Sequence, residues 1–172
     1  MTSNRTWGRA IVCGLQKLGA GRVFISPGAR GSALVAAVVE EGSDSTIHYD
    51  ERGMSFAALG WAMATGSPAV CITTSGSAVA NLLPACVEAF HSGVPLIFVT
   101  ADRPPELRGT GANQTIHQPG IFSSFVRAEV DLPCPGDLAT LPTILENLYA
   151  AATGENPGPV HLNVPFATGP AR

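Results

Sequence analysis

Four loops hold nearly all the side chains of this chain whose types suggest chemistry rather than packing: 26–32, 50–53, 73–81 and 100–114. The second loop has two adjacent carboxylates, Asp50 and Glu51. Acidic residues at the start of a helix commonly cap it, and on its own this interpretation is favoured for the pair. The alternative is that Glu51 is a partly buried carboxyl that shares a proton with a ring nitrogen of a ligand.

The first loop combines a sharp turn with a cation. Pro27 and Gly28 turn the chain, and Ser32 can cap the helix that follows. Exposed backbone N–H groups beside Arg30 could hold an anion. An ordinary strand-to-helix turn with a solvated arginine is the alternative.

The third loop is made of small hydroxylated residues and a glycine. Thr74, Ser75 and Gly76 would let a flat ligand approach the backbone closely. The same composition suits a phosphate at a helix start, but the spacing and the lysine of a P-loop are missing.

The fourth loop is long and polar. Arg103, Asn113 and Gln114 would suit a substrate that bears carboxylates and hydroxyls. A polar surface loop without a ligand is the alternative.

The elements that must position these loops alternate between apolar strands and helices. Strands are predicted at 23–26, 46–49, 69–73, 96–100 and 160–164, and helices at 7–18, 32–41, 53–65, 78–91 and 141–152, with an irregular stretch at 102–122. This order predicts a three-layer α/β/α fold with a mostly parallel sheet. Right-handed crossovers place the strand-to-helix turns at one sheet edge, where ligands bind, so the four loops should converge.

Composition excludes several classes of function. Charged residues make up only 13% of the chain and hydrophobic ones 45%, so part of the surface is expected to be buried against a partner. A net charge of −3 does not favour nucleic-acid binding, and no apolar run is long enough to span a membrane. The four cysteines and four histidines lack metal-ligand spacing, which predicts reduced packing residues in a cytoplasmic protein and no metal ligands.

Taken together, the loops resemble one family. The matching stretches, in family order, are SPGAR at 26–30, DERG at 50–53, TSGSAVAN at 74–81, ADRPPEL at 101–107 and GTGANQ at 109–114. The chain resembles the N-terminal domain of the 2-succinyl-5-enolpyruvyl-6-hydroxy-3-cyclohexene-1-carboxylate synthases of menaquinone biosynthesis, which are thiamine-diphosphate-dependent transferases. One departure is Ala29, where the family usually has serine.

The resemblance implies a role for each loop. Glu51 would hydrogen-bond N1′ of the cofactor's aminopyrimidine ring as the catalytic acid. The pyrimidine would lie near the cofactor-binding residues Pro27, Thr74, Ser75 and Gly76. The substrates 2-oxoglutarate and isochorismate would be contacted by Arg30, Arg103, Asn113 and Gln114.

The resemblance also implies missing parts. Residues 1–165 would be the pyrimidine-binding domain and 166–172 the start of a linker, with the central and diphosphate-binding domains absent. The absent diphosphate domain would hold the diphosphate and Mg²⁺ or Mn²⁺, so the fragment is expected to be inactive alone. A homo-oligomer with the site between subunits is implied. Two alternatives are a separate pyrimidine-domain subunit of a two-chain 2-oxoacid decarboxylase and a non-catalytic binding module.

Overall fold

The computed structural model describes residues 2–167 of the chain. Its strands are β1 (Val23–Ser26), β2 (Ser45–Ile47), β3 (Ala69–Thr73), β4 (Leu96–Asp102), β5 (Glu129–Asp131) and β6 (Val160–Pro165). They form one sheet in the order β2-β1-β3-β4-β6-β5. Every neighbouring pair is parallel, so the sheet predicted as mostly parallel is wholly parallel across the described residues.

Helices cover both faces of the sheet. They are α1 (Asn4–Lys17), α2 (Ser32–Glu40), α3 (Glu51–Thr65), α4 (Ser77–Ala80), α5 (Leu83–Ser92) and α6 (Leu141–Thr153). One hydrophobic core joins α1, α2 and α6 to the sheet, and a second joins α3, α4 and α5 to its opposite face. Along β4, Ile97 and Val99 face the first core, whereas Leu96 and Phe98 face the second. The predicted three-layer fold is confirmed.

The strand order reverses between β1 and β3. The chain passes from β1 to β2 on one side, and then returns to place β3 on the other side of β1. The helix after β1 packs on one face and the helices after β3 pack on the other. Such a reversal opens a crevice between the loop after β1 and the loop after β3, where ligands of open α/β sheets bind.

The structure differs from the sequence predictions at several elements. The single helix predicted at 78–91 is two helices, α4 and α5, because Pro84 has no N–H to donate and its ring would clash with the carbonyl of Ala80. The strand β5 was not predicted, since Glu129–Asp131 has no apolar run. The exposed edge strand β2 ends at Ile47 rather than at residue 49. β4 continues to Asp102, two residues beyond the predicted end of this strand at residue 100.

The predicted linker start at 166–172 lies largely outside the described residues. Phe166, which is described, is packed in the first core. None of the helices within residues 2–167 is long and apolar enough to cross a bilayer.

Candidate functional site

The adjacent carboxylates Asp50 and Glu51 have different hydrogen-bond partners. Asp50 caps α3, because its Oδ1 accepts a hydrogen bond from the Gly53 N–H. Glu51 is the first residue of α3 and half-buried. Its Oε1 accepts from Ser26 Oγ at 3.3 Å and its Oε2 from Asn81 Nδ2 at 3.2 Å. The Glu51 carboxylate therefore lies between the end of β1 and the segment that follows β3.

The first and third loops touch each other beside that carboxylate. A methyl group added to Gly28 would lie 2.5 Å from Thr74 Cβ, so only glycine permits this approach. The hydroxyls of Thr73 and Thr74 are buried and have no hydrogen-bond partner within the described residues. Buried polar atoms without a partner are uncommon and often mark a ligand site.

A buried polar network holds the start of the fourth loop. Asp102, which is fully buried, accepts from Arg108 Nη2 at 2.8 Å and from Asn163 Nδ2 at 2.9 Å. Arg108 also donates to both carboxylate oxygens of Asp131, at 2.7 and 2.9 Å. The side chains of Asp131 and Asn163 lie on β5 and β6, so the outer strands of the sheet anchor this loop.

Arg30 and Arg103 lie in the first and fourth loops, and neither forms an ion pair within residues 2–167. Arg103 donates from Nη2 to the Asn113 carbonyl at 2.9 Å, while its Nε is buried without a partner within residues 2–167. Among the described residues, Arg30 makes a single long contact of 3.5 Å, to the Phe166 carbonyl. Burial, and then the positive charge of Arg103, lower the pKa of Arg30 below its ordinary value. An anion bound beside Arg30 and Arg103 would relieve the repulsion between their charges.

The end of the fourth loop lies against the third. Gln114 and Ser75 exchange hydrogen bonds: Ser75 Oγ donates to the Gln114 carbonyl at 3.0 Å, and Gln114 Nε2 donates to the Ser75 carbonyl at 3.1 Å. Asn113 is exposed, and its carbonyl accepts from Arg103. All four loops thus meet at the carboxyl edge of the sheet, as the alternating pattern predicted.

Sequence reasoning assigned no role to several residues of this site. Ser26 and Asn81 fall in the quoted loops, and the placement of the loops at one edge is the only signal that could have found them. Gln118 lies beyond the fourth loop and has no local signal at all. Pro27 is exposed at the rim of the first loop.

No group of three or more His, Cys, Asp or Glu side chains within residues 2–167 is arranged to hold a metal ion. All four cysteines are free thiols. Burial raises the pKa of the Cys86 thiol to about 12, so this thiol is not a nucleophile at neutral pH.

Comparisons with known proteins agree with this geometry. Residues 5–121 match the family described as thiamine pyrophosphate enzyme, N-terminal TPP binding domain. The chain is 51% identical over 168 residues to a 2-succinyl-5-enolpyruvyl-6-hydroxy-3-cyclohexene-1-carboxylate synthase of Rubrobacter xylanophilus, covering 95% of the chain and 29% of that protein. A synthase of the same name from Halobacterium salinarum is 47% identical over 169 residues, again covering 95% of the chain and 29% of that protein.

A plant protein matches over the same length. The chloroplastic protein PHYLLO of Arabidopsis thaliana is 46% identical over 167 residues, which cover 95% of this chain and 10% of that protein. The chain thus spans less than a third of the length of these relatives. The family match covers most of the chain, including the loops that hold Glu51, Thr74 and Arg103, and the chain belongs to the thiamine pyrophosphate enzymes as their N-terminal TPP-binding domain.

Proposed function

We propose that residues 1–165 are the pyrimidine-binding domain of a thiamine-diphosphate-dependent synthase of menaquinone biosynthesis. The whole enzyme decarboxylates 2-oxoglutarate and adds the remaining four-carbon unit to isochorismate. The observation that carries this proposal is the position of Glu51 at the point where the strand order reverses, with both carboxylate oxygens held by side chains of neighbouring loops. The names of the relatives from Rubrobacter xylanophilus and Halobacterium salinarum support the choice of reaction.

The residues present fit the pyrimidine end of the cofactor. A carboxylate, two buried hydroxyls that have no partner among residues 2–167, and a glycine whose Cβ position is filled by Thr74 lie together, as a flat polar ring would require. Pro27, Ser75 and Gly76 complete the surrounding loops. When bound, thiamine diphosphate supplies the electron sink for decarboxylation.

Glu51 would hold and exchange a proton at N1′ of the pyrimidine. Ser26 and Asn81 orient its carboxylate by donating one hydrogen bond to each oxygen. Asp50 is committed to capping α3 and takes no part in this exchange. The proton-transfer role therefore falls on a single carboxylate of the pair.

The two arginines would bind the acidic substrates. Arg30 and Arg103 are close enough for the charge of one to lower the pKa of the other, and the buried Nε of Arg103 has no partner within the described residues. Asn113, whose carbonyl accepts from Arg103, and the adjacent Gln114 would offer their amide groups to the same substrates. A dicarboxylate such as 2-oxoglutarate and a hydroxylated dicarboxylate such as isochorismate match this set of charges and donors.

Other parts of the site would come from beyond this chain. The diphosphate and its Mg²⁺ or Mn²⁺ would be held by a diphosphate-binding domain, which the greater length of the relatives accommodates. We place the complete site between subunits of a cytoplasmic homo-oligomer, consistent with a surface in which only 13% of residues are charged.

The test compares two substitutions one residue apart in the full-length enzyme. Glu51→Gln should lower the rate of CO₂ release from 2-oxoglutarate by about 10²- to 10⁴-fold, the usual contribution of a positioned acid or base. Asp50→Asn removes the neighbouring carboxylate but keeps the cap, because asparagine caps helices as well as aspartate does. It should stay near the wild-type rate. Equal rates for Glu51→Gln and wild type would refute the role of Glu51.

A further inference from the structure

Gln118 joins three separate elements from a fully buried position. Its Oε1 accepts from the backbone N–H of Gly76 at 2.9 Å. Its Nε2 donates to the Ala101 carbonyl at 3.2 Å and to Asn163 Oδ1 at 2.8 Å. The amide is thereby fixed in one orientation, with its acceptor toward the third loop and its donors toward β4 and β6.

The partners of Gln118 are themselves held in place. Asn163 accepts from Gln118 and Thr100 and donates to Asp102 and Asp131, so its amide cannot turn without breaking several buried hydrogen bonds. A buried network of this kind is rigid only while every member is satisfied. Gln118 is the member that connects it to the third loop.

The segment before Gln118 is attached to the third loop at a second point. Gln114 has a φ of 56°, in the left-handed region that a non-glycine residue rarely adopts. Two hydrogen bonds with Ser75 hold it there. Gly76, with a φ of 85°, is so close that an added methyl group would lie 2.9 Å from Gln114 Cγ. Contacts at Gln114 and Gln118 thus clamp residues 114–118 onto residues 75–76.

We propose that Gln118 is a positioning residue that sets the fourth loop against the third. It acts through Gly76 and Gln114 and touches neither cofactor nor substrate. The consequence for activity rests on the proposed function, in which the third loop lies beside the pyrimidine while Arg103 and Asn113 bind the acidic substrates. Arg103 donates to the Asn113 carbonyl, one residue before the clamp, so release of the clamp displaces the substrate contacts.

The test uses Gln118→Glu in the full-length enzyme. Glutamate keeps the shape but turns an oxygen toward the Ala101 carbonyl and Asn163 Oδ1, both of which are acceptors. We expect the KM for isochorismate or 2-oxoglutarate to rise about tenfold or more, because small displacements of binding groups have effects of this size. The Kd for thiamine diphosphate should rise by a smaller factor than the KM, because Glu51 and its hydrogen-bond partners Ser26 and Asn81 lie outside the clamp. The control is Gln16→Met. Gln16 lies on α1, far from the site, and its amide donates a hydrogen bond to Ser43.

Hydrogen exchange supplies a readout that does not depend on the reaction. In Gln118→Glu, peptides covering 74–80 and 109–117 should exchange at least tenfold faster, while peptides of α1 keep their wild-type rates. If exchange is unchanged, or if Tm falls while both KM values stay at wild type, Gln118 is only a structural residue and the proposal is wrong. If the wild-type enzyme does not convert these substrates, the proposed function fails, and the exchange result alone decides the clamp.

A second variant keeps the test decisive if Gln118→Glu does not fold. Ser75→Ala removes the hydrogen bond to the Gln114 carbonyl and leaves the Ser75 carbonyl to accept from Gln114 Nε2. Because Ser75 also belongs to the proposed pyrimidine site, hydrogen exchange in residues 109–117 is the deciding measurement. Ser75→Ala should raise the hydrogen-exchange rate of peptides covering 109–117, and the KM that rises in Gln118→Glu, each by a smaller factor than Gln118→Glu does. Wild-type exchange and KM in Ser75→Ala would overturn the clamp.

Discussion

Replacing Arg108 with methionine should lower the free energy of unfolding of this domain by more than is usual for a residue in a loop. Arg108 Nη2 lies 2.8 Å from Asp102 Oδ2, and the Asp102 side chain is fully buried. Without the guanidinium, the remaining donors to the Asp102 carboxylate within residues 2–167 are neutral: the Asn163 amide and the Arg103 backbone N–H. Breaking a buried pair by removing one partner costs about 3–5 kcal/mol, since an uncompensated charge stays behind.

The second partner of Arg108 adds little to that cost. The Asp131 side chain is 34% exposed, so water replaces much of what it loses. The expected loss of about 3–5 kcal/mol is a large part of the roughly 5–15 kcal/mol by which domains of this size are stable. Urea unfolding at pH 7, followed by circular dichroism, measures it as a fall in the midpoint at constant slope.

Arg22→Met is the matched control. Arg22 pairs with Asp44 at 3.0 Å, but the two side chains are 37% and 66% exposed. A surface pair of this kind contributes at most about 1 kcal/mol. If Arg108→Met costs no more than Arg22→Met, Asp102 does not depend on a buried charge partner and the reasoning is refuted.

Two further predictions concern pH and the cofactor crevice. Burial opposes ionisation of Glu129, but the adjacent His161 and a backbone N–H outweigh it, so the pKa of Glu129 is lowered below 4.5 in the folded state. Its contribution to stability is therefore complete above pH 4.5 and is lost as pH falls through the lowered value. In a plot of the free energy of unfolding against pH from 6 to 2, Glu129→Gln should reduce the slope at the acidic end. An unchanged slope would contradict this. Gly28→Ala should weaken thiamine diphosphate binding at least tenfold by calorimetry on the full-length enzyme, since the methyl would collide with the third loop. Gly60→Ala should bind normally, because the added methyl would meet no atom of another element of residues 2–167 within 4 Å; equal affinities for the two variants would be evidence against a tight crevice.

The sequence predicted the fold well where burial alone decides structure. β3 was predicted with its observed bounds and β4 from its first residue, because both strands are buried along their whole length and have continuous apolar runs. Prediction was weaker at the exposed edge of the sheet, where β2 ends early and β5 has only Glu129, Val130 and Asp131. The break before α5 could have been predicted, since Pro84 is incompatible with a continuous helix.

Some features of the site could likewise be predicted from the sequence, and others could not. Local motifs and sheet topology were enough to bring Glu51, Thr74 and Arg103 to one edge. They could not separate the roles of Asp50 and Glu51, because which carboxylate caps α3 depends on where the helix begins. Gln118 could not have been predicted, because its side chain forms hydrogen bonds with residues 17 to 45 positions away in the chain.

The central claim is that Glu51 exchanges a proton with the pyrimidine of bound thiamine diphosphate. Its most direct test is the rate at which the C2 proton of the cofactor exchanges with D₂O in the full-length enzyme, measured by quenched-flow NMR without substrate. Glu51→Gln should slow this exchange by about 10²-fold or more, while Asp50→Asn keeps the wild-type rate. A Glu51→Gln enzyme that binds the cofactor and exchanges its C2 proton at the wild-type rate would contradict the account.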